Sequence, residues 1–139
     1  GGGIIPDVFV PIGSNQEEAI ESMDDTYQFF ARFVFEHLED DRTMYDGYTQ
    51  NEFLDEFHVD DILFDKFIQF VLDRKVKLDF YAYEDKIKAY LKANIAEQLY
   101  SPNLSAQIKG DYDAMLKRVK ALDQAEIDQS QLGAVEIKP

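Results

Sequence analysis

Ile87, Leu91, Ile95 and Leu99 recur every fourth residue through a stretch, roughly 81–100, that contains neither glycine nor proline. Such a run is too long for a strand. Its spacing places the four side chains on one face of an α-helix, flanked by Tyr83 and Tyr90. This is the clearest amphipathic helix in the chain. A helix of this kind has to bury its stripe against other elements, and the chain offers mainly further helical periods as partners.

Upstream, Ser14 or Asn15 can cap a short acidic helix over QEEAIESM, with Glu17 and Glu18 in the first turn where the helix dipole favours them. Asp24, Asp25 or Thr26 then restarts a longer helix. In it Tyr27, Phe30, Val34 and Leu38 keep helical spacing, and Ala31, Phe33 and Phe35 widen the stripe. Beyond Gly47, Thr49 followed by Glu52 forms a capping box and marks a third helix. Asp60 or Asp61 caps a fourth, with an apolar ridge of Leu63, Phe64, Phe67, Ile68, Val71 and Leu72 and with Arg74 and Lys75 at its C-terminal end. Ser101-Pro102-Asn103 breaks the fifth helix. After Gly110 a sixth carries Tyr112, Met115, Leu116, Val119 and Leu122 on one face. From Gln124 to Pro139 the pattern is weak, and an extended end at Val135 and Ile137 or a tail without fixed structure both fit.

The expected fold is therefore all-α, a compact bundle of about five to six helices, preceded by a short extended N-terminal strand. At 139 residues and 45% apolar content the chain fills one core, and eleven Phe and eight Tyr make that core ring-rich. Three units are expected: residues 1–12 as turn plus strand, 13–123 as the helical domain, and 124–139 as a polar tail.

Twenty-eight carboxylates against fourteen Lys and Arg give a net charge of −14. That surface repels nucleic-acid phosphates and anionic lipid heads but suits protein or peptide partners. With no cysteine, disulfides, zinc thiolates and a thiol nucleophile are excluded. No run approaches the roughly 20 apolar residues of a membrane span, so no membrane insertion is expected. No secretory signal stands at residue 1, so an exported protein would carry its address upstream.

No catalytic, cofactor or metal site is expected. Asp24-Asp25 and Asp60-Asp61 precede apolar helical runs and read as caps, and Glu39-Asp40-Asp41 reads as a solvated face. DRTMYDGYTQNE resembles a calcium loop only superficially. With Gly47 sixth, the ligand positions fall on Arg42, Met44 and Phe53; starting at Asp41 restores Glu52 as twelfth but displaces the glycine. His37 and His58 lie in different segments without a neighbouring nucleophile or orienting group. Serines 14, 22, 101, 105 and 130 stand in no nucleophile elbow, and the Tyr and Phe stripes at helical spacing read as core.

One stretch does not fit a helical bundle. GGGIIPDVFVP, residues 1–11, sets three glycines before an apolar run in which Val8 and Val10 alternate with Asp7 and Phe9, yet no partner strand follows. Gly2, Gly3, Ile4, Pro6, Asp7, Val8 and Pro11 resemble the segment that closes the protease core in carboxyl-terminal processing (tail-specific) serine peptidases. Members of that family of the Bacteroidetes type continue into a helical extension. Phe57, Val59, Asp60, Asp61, Leu63 and Phe67, then KANIAEQLY at 92–100, resemble it, so the likeness spans residues 1 to about 123.

The resemblance implies a parent serine endopeptidase, exported to the periplasm or cell envelope, whose Ser nucleophile and activating Lys lie upstream beside a PDZ module. Neither has a counterpart here, so no residue of this chain inherits a catalytic role and no cofactor is implied. The chain is then the non-catalytic C-terminal helical domain, with a structural, assembly or substrate-access role. Its partners would be the catalytic and PDZ domains and the parent's protein or peptide substrates. A strand over Asp7–Val10 without its native sheet is expected to be loosely held or to self-associate with another copy. Two other readings stay open: a free-standing acidic helical protein-binding module, and an independent hydrolase that uses His37 or His58 with carboxylates.

Overall fold

The computed structural model describes residues 15–137, with side chains to residue 122 and at 124 and 125. The motif from Gly2 to Pro11, the strand expected there and its self-association lie outside the described residues. Six helices follow: α1 (Gln16–Asp25), α2 (Phe29–Asp41), α3 (Gln50–Glu56), α4 (Asp61–Leu72), α5 (Glu84–Leu99) and α6 (Pro102–Ile137). Short 3-10 turns at Arg42–Tyr45 and Tyr81–Tyr83 link α2 to α3 and α4 to α5. Among the described residues there is no strand, and the fold is the expected all-α bundle.

The starts of three helices follow from local chemistry. Asn15, not Ser14, caps α1, its Oδ1 accepting from the amides of Glu17 and Glu18 at 3.0 and 3.3 Å. The capping box at α3 is complete. Thr49 Oγ1 accepts from the Glu52 amide at 3.1 Å, and Glu52 Oε1 accepts from the Thr49 amide at 3.0 Å. The bond donated by the Thr49 amide, with the Thr49 side chain adding to it, holds the Glu52 carboxyl below its ordinary range. Asp60 caps α4 through the Leu63 amide at 2.8 Å.

Asp24 and Asp25 depart from the expectation. They do not cap α2, because α1 runs through both, and α2 starts at Phe29 after Gln28 turns into the left-handed region at φ 57°. Asp24 is instead recruited by the rest of the fold. Its carboxylate accepts from Asn94 Nδ2 on α5 at 3.0 Å and from Lys109 Nζ on α6. One turn earlier, Glu21 pairs with the buried Lys86 at 3.4 Å. The acidic helix α1 is thus fastened by carboxylates to the α5–α6 hairpin. Its own apolar contribution to the core is Ile20 and Met23.

α5 is the axis of the bundle rather than a surface helix. Besides Ile87, Leu91 and Ile95 it buries Tyr90, Ala93, Asn94 and Ala96, and it packs mainly along α6 and α2. Ala93 and Ala96, without exposure, let neighbouring backbones come close. Around this axis the core is built of rings, as the composition requires. Phe30 stacks on Phe67 with centroids 4.6 Å apart, Phe53 stacks on Phe57 at 4.8 Å, and Phe33 meets Phe67 edge-on at 5.3 Å. Tyr27, Phe35 and Leu72, expected in apolar stripes, are exposed.

α4 closes with a left-handed residue at Lys75, φ 64°. The Val76 amide reaches Val71 O at 3.2 Å and the Lys75 amide reaches Leu72 O at 3.0 Å, while Val71 and Val76 are both buried; this is a Schellman motif. Arg74 complements the same end, donating to Phe70 O at 2.9 Å with its guanidinium over the Phe70 ring.

α6 begins eight residues before Gly110. Ser101 Oγ accepts from the Leu104 amide at 3.2 Å and Pro102 occupies the first helical position, so the break after α5 is also a start signal. Gly110 sits inside the helix. The backbone stays helical through Ile137, across most of the stretch expected as a tail.

Candidate functional site

The two histidines, separate in sequence, meet at one cleft of about 220 Å³ that Asp41, Asp60 and Lys66 also line. His37 projects from α2. Its Nε2 is 2.7 Å from the Tyr45 hydroxyl, and its Nδ1 is 3.7 Å from Asp41 Oδ2, beyond hydrogen-bond reach. Burial lowers the His37 pKa against the raising effect of Asp41, Asp40 and Asp60, with Lys66 adding to the lowering. Burial, then Asp41, Asp60 and Tyr48, push the Tyr45 phenol well above its ordinary range. The His37–Tyr45 bond therefore joins neutral partners and clips the 3-10 turn to α2. His58 is exposed on the rim. Among the described residues, no serine, threonine or cysteine lines this cleft.

A larger groove, about 520 Å³, runs between α3, α5 and α6, with Leu54, Val59, Ala89 and Ile108 as apolar lining. Its two lysines are already engaged. Lys88 bridges Glu84 at 2.8 Å and Asp61 at 3.0 Å, and the hydrogen bond it donates to Glu84 leads in raising its pKa. Lys92 donates to Leu54 O in the last turn of α3 at 2.6 Å, and burial lowers its pKa. Capping of α3 accounts for that ammonium. Among the described residues, no group of three or more His, Cys, Asp or Glu could hold a metal ion.

Among the described residues, an apolar stripe stands open on α6. Leu104 and Ile108 are buried, and the same stripe continues through half-buried Tyr112 and Leu116 to Met115, Val119 and Leu122, which are 43, 46 and 65% exposed. Sequence spacing identified this stripe correctly as one face, but its burial within the chain does not follow. A second cleft, about 430 Å³, lies where Tyr112 and Leu116 face Glu17 of α1 and the turn Tyr81–Tyr83. Burial raises the Tyr112 pKa, with the charges of Asp85, Glu17 and Asp113 adding to it. The Asp24–Asn94–Lys109 tie and the His37–Tyr45 clip had no local signal, since each joins residues through the fold.

Among the described residues, fold and surface define an acidic, aromatic-cored helical bundle whose last helix is longer than the α5 helix it packs along. The chain belongs to a family of unknown function (DUF8443), which matches residues 26–101. That span runs from the end of α1 to the end of α5; it holds most of the core and excludes α6. No curated protein and no solved structure matches the chain.

Proposed function

We propose that this chain is the non-catalytic C-terminal helical domain of an exported Ser-Lys carboxyl-terminal processing peptidase, with a structural, assembly or substrate-access role. The carrying observation is the segment GGGIIPDVFVP, where Gly2, Gly3, Ile4, Pro6, Asp7, Val8 and Pro11 resemble the end of that peptidase core. The helical bundle that follows, with its apolar α6 face open, is compatible with a domain that seats against another. On this reading the partners are the catalytic and PDZ domains and, through them, protein or peptide substrates, in the periplasm or cell envelope. The serine endopeptidase activity belongs to the parent.

A second reading, a free-standing acidic helical protein-binding module, draws on the family match, which begins at residue 26 and leaves the peptidase-like segment out. The reading frame upstream of the Gly1 codon separates the two. An in-frame domain with a serine nucleophile and a lysine base supports the first; a start codon there refutes it. Given such a parent, deleting residues 15–139 and comparing peptide turnover with folding stability assigns the role.

A further inference from the structure

α6 outruns the bundle. The two-residue connection Tyr100–Ser101 folds it back along α5. The sixteen residues of α5 span about 24 Å and the thirty-six of α6 about 54 Å, so α6 runs on well past the end of α5. The stripe that Leu104 and Ile108 bury against the body runs on for about 15 Å from Tyr112 to Leu122, uncovered at Met115, Val119 and Leu122.

The way the chain enters the bundle says what lies next to this stripe. α1 starts at Gln16, and Glu17 in its first turn lines the same cleft as Tyr112 and Leu116 of α6. Only Gly13 and Ser14 separate Ile12 from the cap residue Asn15, so at most about 10 Å of extended chain joins them. Any domain that owns residues 1–12 must therefore abut the start of α1, beside Tyr112 and Leu116, from which the exposed stripe of α6 runs on.

A second copy of the chain fits less well. Residues 114–122 carry Lys117, Arg118 and Lys120 and no carboxylate, in a chain of net charge −14. Two α6 helices crossing antiparallel at Val119 would bring the two Arg118 side chains together on one flank and the two Lys120 side chains together on the other, an arrangement that repels.

We infer that the apolar stripe Met115–Val119–Leu122, with the Tyr112 and Leu116 cleft at its base, is the docking face for the peptidase catalytic domain that residues 1–12 would close. The inference rests on the function proposed above. The short tether holds the two surfaces at high effective concentration, so a modest apolar patch suffices to seat them. The cations Lys117, Arg118 and Lys120, which outnumber the flanking Asp113 and Asp123, favour a partner face bordered by carboxylates.

The chain has no cysteine, which makes thiol labelling a direct test. Val119→Cys and, as control, Ile62→Cys on α4 (Ile62 is 68% exposed) are labelled with a maleimide in the chain of residues 1–139 and in the full-length polypeptide, freed of other cysteines. Docking predicts that position 119 reacts about tenfold or more slowly in the full-length polypeptide while position 62 reacts equally in both. Equal rates at position 119 overturn the docking. So does protection in the 1–139 chain that grows with concentration, which identifies a second copy. Protection there that vanishes on removal of residues 1–14 identifies the chain's own N-terminal segment and overturns it as well. A reading frame without a peptidase removes the proposed function and this inference together, whereas a peptidase upstream with position 119 freely labelled removes only the inference.

Discussion

Replacing Asp24 by alanine removes the acceptor that ties α1 to α5 and α6 at once. The carboxylate is 14% exposed, its partner Lys109 31%, and Asn94 is buried. Without Asp24, Asn94 Nδ2 keeps its bond to Tyr90 O at 2.8 Å but strands its other N–H inside the bundle, which costs about 1–2 kcal/mol. Lys109 is exposed enough to recover water, so losing its ion pair adds only about 0.5–1 kcal/mol. The sum, about 1.5–3 kcal/mol, corresponds to a drop in Tm of roughly 5–12 °C for a chain of this size.

Urea unfolding followed by far-ultraviolet circular dichroism measures the loss, and a double-mutant cycle with Lys109→Met tests its origin. The expected coupling between positions 24 and 109 is about 0.5–1 kcal/mol. Asp24→Asn should cost less than Asp24→Ala, because its side-chain carbonyl still accepts from Asn94. A local cap at Asp24 would show no coupling to a residue 85 positions away. A loss below about 0.5 kcal/mol with Asp24→Ala, or no coupling to Lys109, refutes the tertiary tie.

Gly110→Ala should stabilise the chain by about 0.5–1 kcal/mol, since the position is helical and an added Cβ meets nothing within 4 Å; a lower urea midpoint would contradict this. Lys75→Gly should raise stability by about 0.5–1 kcal/mol by relieving the left-handed backbone at φ 64°, and an unchanged or lower midpoint counts against strain there. At His37, burial makes the folded state bind its proton less tightly than the unfolded chain. The stabilising effect of neutral His37 is thus complete above about pH 6.5 and falls away as pH drops through that value. Between about pH 7.5 and 5.5 the native chain should lose more stability than His37→Gln, and equal slopes would refute the assignment.

The caps at Asn15, Thr49 and Asp60 were readable because each is a contact of two or three residues along the chain. The ring core was readable from composition and spacing. Helix boundaries were less so. Gly110 reads as a breaker, but a glycine inside a helix costs only about 1 kcal/mol, and the packing of α6 on α5 outweighs that. Asp24 reads as a cap because an acid before an apolar run usually is one; Asn94 and Lys109, both distant in sequence, decide otherwise. The turn at Gln28 has no local signature, since glutamine is an unusual residue at positive φ.

The same distinction separates the core from the candidate surface. A stripe such as Met115, Val119 and Leu122 carries identical periodicity whether it meets its own bundle or another domain, because spacing reports a face and not its occupant. Burial resolves the ambiguity in one direction only. Leu104 and Ile108, in the first two turns of α6, are sealed by the bundle, while the continuation past the start of α5 is not. Family membership divides the chain along a similar line, with residues 26–101 spanning the aromatic core and α6 outside it. A polar substitution at Val119, already 46% exposed, should therefore leave the bundle's own stability within about 0.5 kcal/mol. Any larger consequence in a longer polypeptide would have to come from whatever covers α6.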